Sequence, residues 1–201
     1  GRRVAVLDME FLHNGVPTME LEARLDPAPA RAETLSEADE LTADLLAVLG
    51  SYNVCSKEAF VRMYDHEVLG QSVLKQFQGA AHDGPGDAAV IRPVPGSKRG
   101  LAIACGICPK YSDLDAYAMT AAAVDEAVRN LLCVGTKLGT IAGLDNFCWP
   151  DPVQSEKTPD GRHKLAQLVQ SCEALRDVCL AYGIPLISGK DSMKNDYKIG
   201  D

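Results

Sequence analysis

Between residues 115 and 134 the chain reads DAYAMTAAAVDEAVRNLLCV and is closed by Gly135, and this alanine-rich run constrains the fold more than any other stretch. Alanine loses no side-chain entropy in a helix and glycine tolerates the left-handed turn that ends one, so the run predicts a helix over 115–134. Its flanks set the class. Residues 87–91, Asp-Ala-Ala-Val-Ile, read as a buried strand behind the breaker Asp83-Gly84-Pro85-Gly86, and 101–105 read as a strand beyond the turn residues Pro95-Gly96-Ser97. After the helix, 138–144 read as a strand ending in Asp145-Asn146, 150–163 as a loop, 164–182 as an amphipathic helix stopped by Gly183, and 184–187 as a short strand followed by a turn at 188–192. Strand, helix, strand, helix, strand is the order of an α/β (α+β) domain.

Upstream, residues 3–12 form a strand-like run that stops at His13-Asn14-Gly15, and 19–25 alternate with the period of a half-buried strand. Asp26-Pro27-Ala28-Pro29-Ala30 marks a linker. Ser36, with Glu37 and Asp39, starts a helix whose stripe of Leu41, Leu45, Leu46, Val48 and Leu49 runs to Gly50, and a second short helix covers 56–64.

Charge and cysteine usage narrow the function. With 28 acidic against 20 basic residues, a net charge of -8 and no Lys/Arg block, the chain is a poor match for a nucleic-acid backbone. A small anion remains open, since backbone donors and a metal ion hold phosphate even in a negative overall field. Seven scattered cysteines, an odd number without a disulfide-scaffold rhythm, fit a reducing cytoplasm. Cys105 and Cys108 form one CxxC, but a structural zinc site needs a second pair at matching spacing, and buried thiols are the plainer reading. No basic-then-apolar leader opens the chain, and no run approaches the roughly 20 apolar residues of a membrane span, so a soluble protein is expected.

Four places could carry chemistry. Glu126 and Asn130 lie four apart on one helix face, where two oxygen donors can grip a hard cation or simply face solvent. Asp87 opens an apolar strand directly behind Gly86, a position where strand ends present polar groups to ligands, or where an aspartate caps a turn. Asp87, Glu126 and Asn130 together are a reasonable magnesium set, because that ion takes a few carboxylate or carbonyl oxygens plus phosphate and water. Ser188-Gly189-Lys190-Asp191-Ser192 has the chemistry of a phosphate loop without the Walker A spacing. Asp65-His66-Glu67 offers acid/base groups or ligands, with a structural histidine as the alternative. No Ser/His/Asp or Cys/His constellation can be placed, so no catalytic residue is assigned.

Taken in order, YDHEVLGQSV at 64–73, GPGDAAVI at 84–91, LDAYAMTAAAVDEAVRNLLCVGT at 114–136, LDNFCWPDP at 144–152 and SGKDSMKNDYKIGD at 188–201 resemble the formylglycinamidine ribonucleotide synthases. The opening VAVLDMEFLHNGVP resembles the strand that closes the preceding domain in that family. The resemblance implies an ATP-dependent ligase of purine biosynthesis, which converts formylglycinamide ribonucleotide to its amidine through an iminophosphate attacked by glutaminase-derived ammonia. Its body is similar to aminoimidazole ribonucleotide synthetase, duplicated, with mixed sheets contributing to a β-barrel and helices packed on one face. Residues 1–30 would be the tail of a C-terminal-type domain, and 31–201 the second N-terminal-type domain.

In the family that second half houses an auxiliary Mg2+ with ADP or ATP. The strand-opening aspartate corresponds to Asp87 and the helix ligands to Glu126 and Asn130, with Gly86 beside the nucleotide and Lys190 a further nucleotide contact. The family's catalytic histidine belongs to the other half, and His66 does not inherit its role. The implied partners are the remaining synthetase domains, a glutaminase, the ribonucleotide substrate and a second copy joined through barrel strands, in the cytoplasm, with no nucleic acid and no membrane. Two alternatives stand beside this reading: a ligand-free scaffold, and a related ATP-dependent kinase or synthetase of the same superfamily.

Overall fold

The computed structural model describes residues 1–15, 17–26, 40–63 and 68–194. It is a mixed α/β structure built around two long helices. Helix α4 (Ala116–Cys133) begins where the Asp115 carboxylate accepts the Ala118 N–H at 2.9 Å, and helix α5 (Gly161–Tyr182) ends at Gly183, whose φ of 69° is the left-handed conformation glycine allows. The two pack closely because their contact is made of small residues. Ala116, Ser171 and Ala174 are fully buried or nearly so, and the Ser171 hydroxyl donates to the Ala116 carbonyl at 3.4 Å. Val128 of α4 and Cys179 of α5 then close over Ile141 and Ile184 to make the core, with Val124, Leu131, Leu175 and Tyr182 at its edge.

Three small sheets surround this pair. Strands β1 (Ser72–Leu74), β4 (Ala88–Ile91) and β5 (Leu101–Ala104) form an antiparallel sheet in the order β1-β4-β5, with Ala88 opposite Ala104. Its inner face rests on α4. Strands β2 (Phe77–Gln78) and β3 (Gly84–Pro85) make a short antiparallel pair. Strands β6 (Gly143–Trp149) and β7 (Leu186–Met193) run parallel, joined by α5 as a β-α-β crossover. No closed barrel forms among the described residues.

Four expectations are corrected. Residues 3–12 and 19–25 are not strands: helix α1 (Met9–Asn14) starts at Asp8, whose carboxylate accepts the Glu10 N–H at 2.8 Å, and residues 17–26 carry no strand. An alternating run becomes a strand only beside a partner, and none pairs with it among the described residues. The start expected at Ser36 lies outside the described residues; within them, Glu40 accepts from Thr42 and Ala43 at the head of helix α2 (Leu41–Gly50). The short helix α3 (Glu58–Val61) falls where one was expected. Residues 138–142 are not a strand; β6 begins at Gly143 and continues through Asp145-Asn146. Residues 188–192 are not a turn but the middle of β7, paired from Leu144↔Ser188 to Cys148↔Ser192. Both errors share one cause, a parallel pairing between distant segments that overrides local turn chemistry.

The chain exposes 16006 Å2, well above the about 9,000 Å2 typical of a compact monomer of 21.5 kDa. Leu101 and Ile103 on β5, Leu144 on β6 and Ile187 on β7 are each more than half exposed. No helix among the described residues is long and apolar enough to cross a membrane.

Across the helix pair, the Tyr182 hydroxyl donates to Asp125 at 2.5 Å and Arg129 meets the same carboxylate at 2.6 Å. The Tyr182 bond, with Arg129, holds Asp125 below its ordinary value, and the Tyr182 phenol is pushed up by the same bond. A carboxylate with a depressed folded pKa stabilises above its unfolded value, and that stability fades as pH falls through the folded value. Tyr182→Phe therefore lowers the melting temperature at neutral pH, with a gap to the unchanged chain that stays level down to about pH 4 and narrows below it, as circular-dichroism melts across that range will register.

Candidate nucleotide and metal site

The candidate site is organised by the way the chain leaves β5. Residues 105–108 cross α4 at Gly106, where a Cβ would stand 1.9 Å from the Ala123 carbonyl oxygen and 2.9 Å from the Ala127 nitrogen. Backbone meets backbone there, and only glycine fits. The crossing carries three polar groups to one face of α4. Asn130 Nδ2 donates to the Cys105 carbonyl at 3.4 Å, while Glu126 Oε2 accepts the Ile107 N–H at 2.9 Å and the Cys108 thiol at 3.5 Å. Each side chain thus spends one polar atom on residues 105–108. Glu126 Oε1 and Asn130 Oδ1 have no partner among the described residues.

Asp87 is exposed and directly precedes β4, whose first residue Ala88 pairs with Ala104 at the end of β5. It therefore stands at the same end of the sheet as the 105–108 crossing that Glu126 and Asn130 grip. Gly86 is held by its N–H, which donates to the Gln76 carbonyl at 2.9 Å, and the Gln78 side-chain amide occupies the place a Cβ would take.

Lys190 belongs to a separate sheet from the one Asp87 precedes. It lies on β7, paired with Asn146, and its amine bonds the Ser192 hydroxyl. The ladder to β6 occupies backbone groups that a phosphate loop would leave free. On the same strand pair the Asp145 carboxylate fills the space over Gly189, with Oδ1 2.5 Å from the position of a Cβ. Asp65, His66 and Glu67 lie outside the described residues. An open polar cleft of about 170 Å3 lies elsewhere, where Arg24 and Asp26 stand against Gln154, Arg162 and His163.

The sequence reading missed the part played by the CxxC segment. Among the described residues no three His, Cys, Asp or Glu side chains gather as metal ligands. Cys105 contributes its carbonyl and Cys108 its thiol. Burial, followed by the Glu126 carboxylate, pushes the Cys108 thiol up, so near neutrality it keeps the proton it donates. A glycine directly after an apolar strand, followed by a donor-rich segment and an alanine-rich helix, was the available signal.

The family model described as AIR synthase related protein, N-terminal domain, matches residues 85–200, more than half of the chain. The chain belongs to that family. Gly86, Asp87, Glu126, Asn130 and Lys190 all fall within the span that matches the AIR synthase related N-terminal domain. A phosphoribosylformylglycinamidine synthase subunit PurL of Deinococcus radiodurans is 34% identical over 195 residues, which take in 96% of this chain and 23% of the relative. The structure of PurLQS from Thermotoga maritima is similar with 27% identity and a TM-score of 0.52, over 72% of this chain and 21% of that one. A structure of Thermotoga maritima PurL complexed with ADP gives 28% identity and a TM-score of 0.50 over the same shares, 72% and 21%. The chain spans about a quarter of the length of the curated relatives it matches.

Gly106→Ala forces a backbone shift at the crossing and should cost roughly 1–3 kcal/mol of stability, the usual range for overpacking, which urea unfolding will measure.

Proposed function

We propose that this chain is a segment of an ATP-dependent phosphoribosylformylglycinamidine synthase, the enzyme that makes formylglycinamidine ribonucleotide from formylglycinamide ribonucleotide, ATP and glutamine-derived ammonia. Within it, residues 31–201 serve as the second N-terminal-type domain and 1–30 as the tail of the domain before. The segment holds a magnesium-bound ADP or ATP as a fixed structural element, and the residues that turn substrate over belong to other parts of the enzyme.

The observation that carries this reading is the pinned pair on α4, with one oxygen of Glu126 and one of Asn130 left open a single turn apart. Those hard donors fit magnesium, which keeps few protein oxygens and fills its shell with phosphate and water. Asp87 would add a second carboxylate from the head of β4, Gly86 would border the nucleotide, and Lys190 would approach it from β7. When bound, the ion neutralises phosphate charge. The chain's own residues fix the carboxylate and the amide before any ligand arrives.

The exposed apolar residues on β5, β6 and β7 support the rest of the assembly. They suit strands completed by the remaining synthetase domains, or by a second copy, into a barrel. A glutaminase supplies the ammonia, and the work is done in the cytoplasm. The same exposed faces favour one competing reading, a scaffold without ligand.

Calorimetric titration with Mg-ADP separates the two. The expected result is measurable heat and a rise in melting temperature that grows with nucleotide, reaching about 2.7 kcal/mol of stabilisation at a hundredfold excess over Kd. Glu126→Gln and Asp87→Asn should remove the magnesium-dependent part. Absence of heat and of thermal shift at millimolar nucleotide would leave the scaffold.

A further inference from the structure

We propose that Cys108 is a positioning residue for Glu126, its thiol proton fixing the carboxylate so that Oε1 is the oxygen presented to a cation. The inference rests on the magnesium reading above and goes further, because it assigns a role to a thiol that is not a ligand. Two donors meet the same oxygen, the Ile107 N–H at 2.9 Å and the Cys108 S–H at 3.5 Å. The terminal torsion of a glutamate is broad and roughly two-fold, so a single amide contact lets either oxygen turn outward. A second donor on Oε2, from the neighbouring residue, holds that oxygen against residues 107–108 and leaves Oε1 open.

The cysteines of the CxxC divide their work. Cys105 acts through its backbone carbonyl on Asn130, and any side chain there supplies that carbonyl. Cys108 acts through its side chain, so its identity matters.

The consequence is a thiol handle on the site. Converting the S–H to a mixed disulfide removes the donor and leaves a bulkier group beside Oε2, so magnesium binding weakens while contacts to the rest of the nucleotide persist.

The test compares ADP affinity with Mg2+ and with EDTA by calorimetry, in the 201-residue chain, in Cys108→Ala and in Cys108→Ser. The magnesium-dependent gain in affinity should fall about 10- to 100-fold in Cys108→Ala, the usual cost of losing an orienting neighbour of a ligand, with affinity in EDTA unchanged. Cys108→Ser, whose hydroxyl also donates, should recover most of the gain. A second measurement does not depend on the alanine variant folding. Methyl methanethiosulfonate converts each accessible thiol to S–S–CH3 and releases methanesulfinate; treatment should abolish the magnesium-dependent gain in the unchanged chain, spare it in Cys108→Ser, and reverse with dithiothreitol. Equal magnesium dependence in Cys108→Ala and the unchanged chain overturns the inference, as does a serine variant as weak as alanine, or loss on treatment in the serine variant too. Should the unchanged chain show no magnesium-dependent ADP binding, the magnesium reading falls and takes this one with it.

Discussion

The passage of Gly106 across the backbone of α4 is the constraint from which the candidate site follows. With almost no space between the crossing and the Ala123 carbonyl, residues 105–108 have one way to run. Their carbonyl, amide and thiol then meet Asn130 and Glu126 in a fixed register. Side chains on an exposed helix face would otherwise sample many rotamers at some entropic cost to any ligand. Here the protein has spent that ordering during folding.

Support for the crossing comes from behind. Helix α4 keeps its place because α5 lies close against it through Ala116, Ser171 and Ala174, and because polar links clamp the pair at intervals, Tyr117 to Asp177 at 3.1 Å and Tyr182 to Asp125 at 2.5 Å. Small residues set the distance between the helices, and the tyrosines set their rotation. The aliphatic core is modest, centred on Val128, Ile141, Cys179 and Ile184, so the helix pair has the character of a stiff support more than a thick hydrophobic interior.

What could be read from the sequence was what local chemistry decides. The helix over 115–134, Gly183 as a stop, the strand over 87–91 and the four-residue spacing of Glu126 and Asn130 each depend on neighbours within a turn or two, and the structure has them within a residue of those bounds. Failure came where distant segments decide. Ser188-Gly189-Lys190-Asp191-Ser192 has turn-forming residues, yet β6 recruits it as a strand. The run at 3–12 has strand character, yet lacks a partner strand among the described residues and yields to the Asp8 cap. The role of Cys108 was invisible for the same reason: its acceptor lies 18 residues away on a helix, and only the fold joins them.

The parallel pairing of β6 with β7 carries a kinetic implication. Antiparallel neighbours such as β4 and β5 can zip from a nearby turn, whereas these two strands are separated by the whole of α5 and meet only when that helix folds back across them. Closing so long a loop delays the reward of pairing, which makes this ladder a late event on the folding route. Lys190 and Asp145 consequently acquire their final surroundings after the α4 platform already exists, and the molecule matures from its helical centre outward.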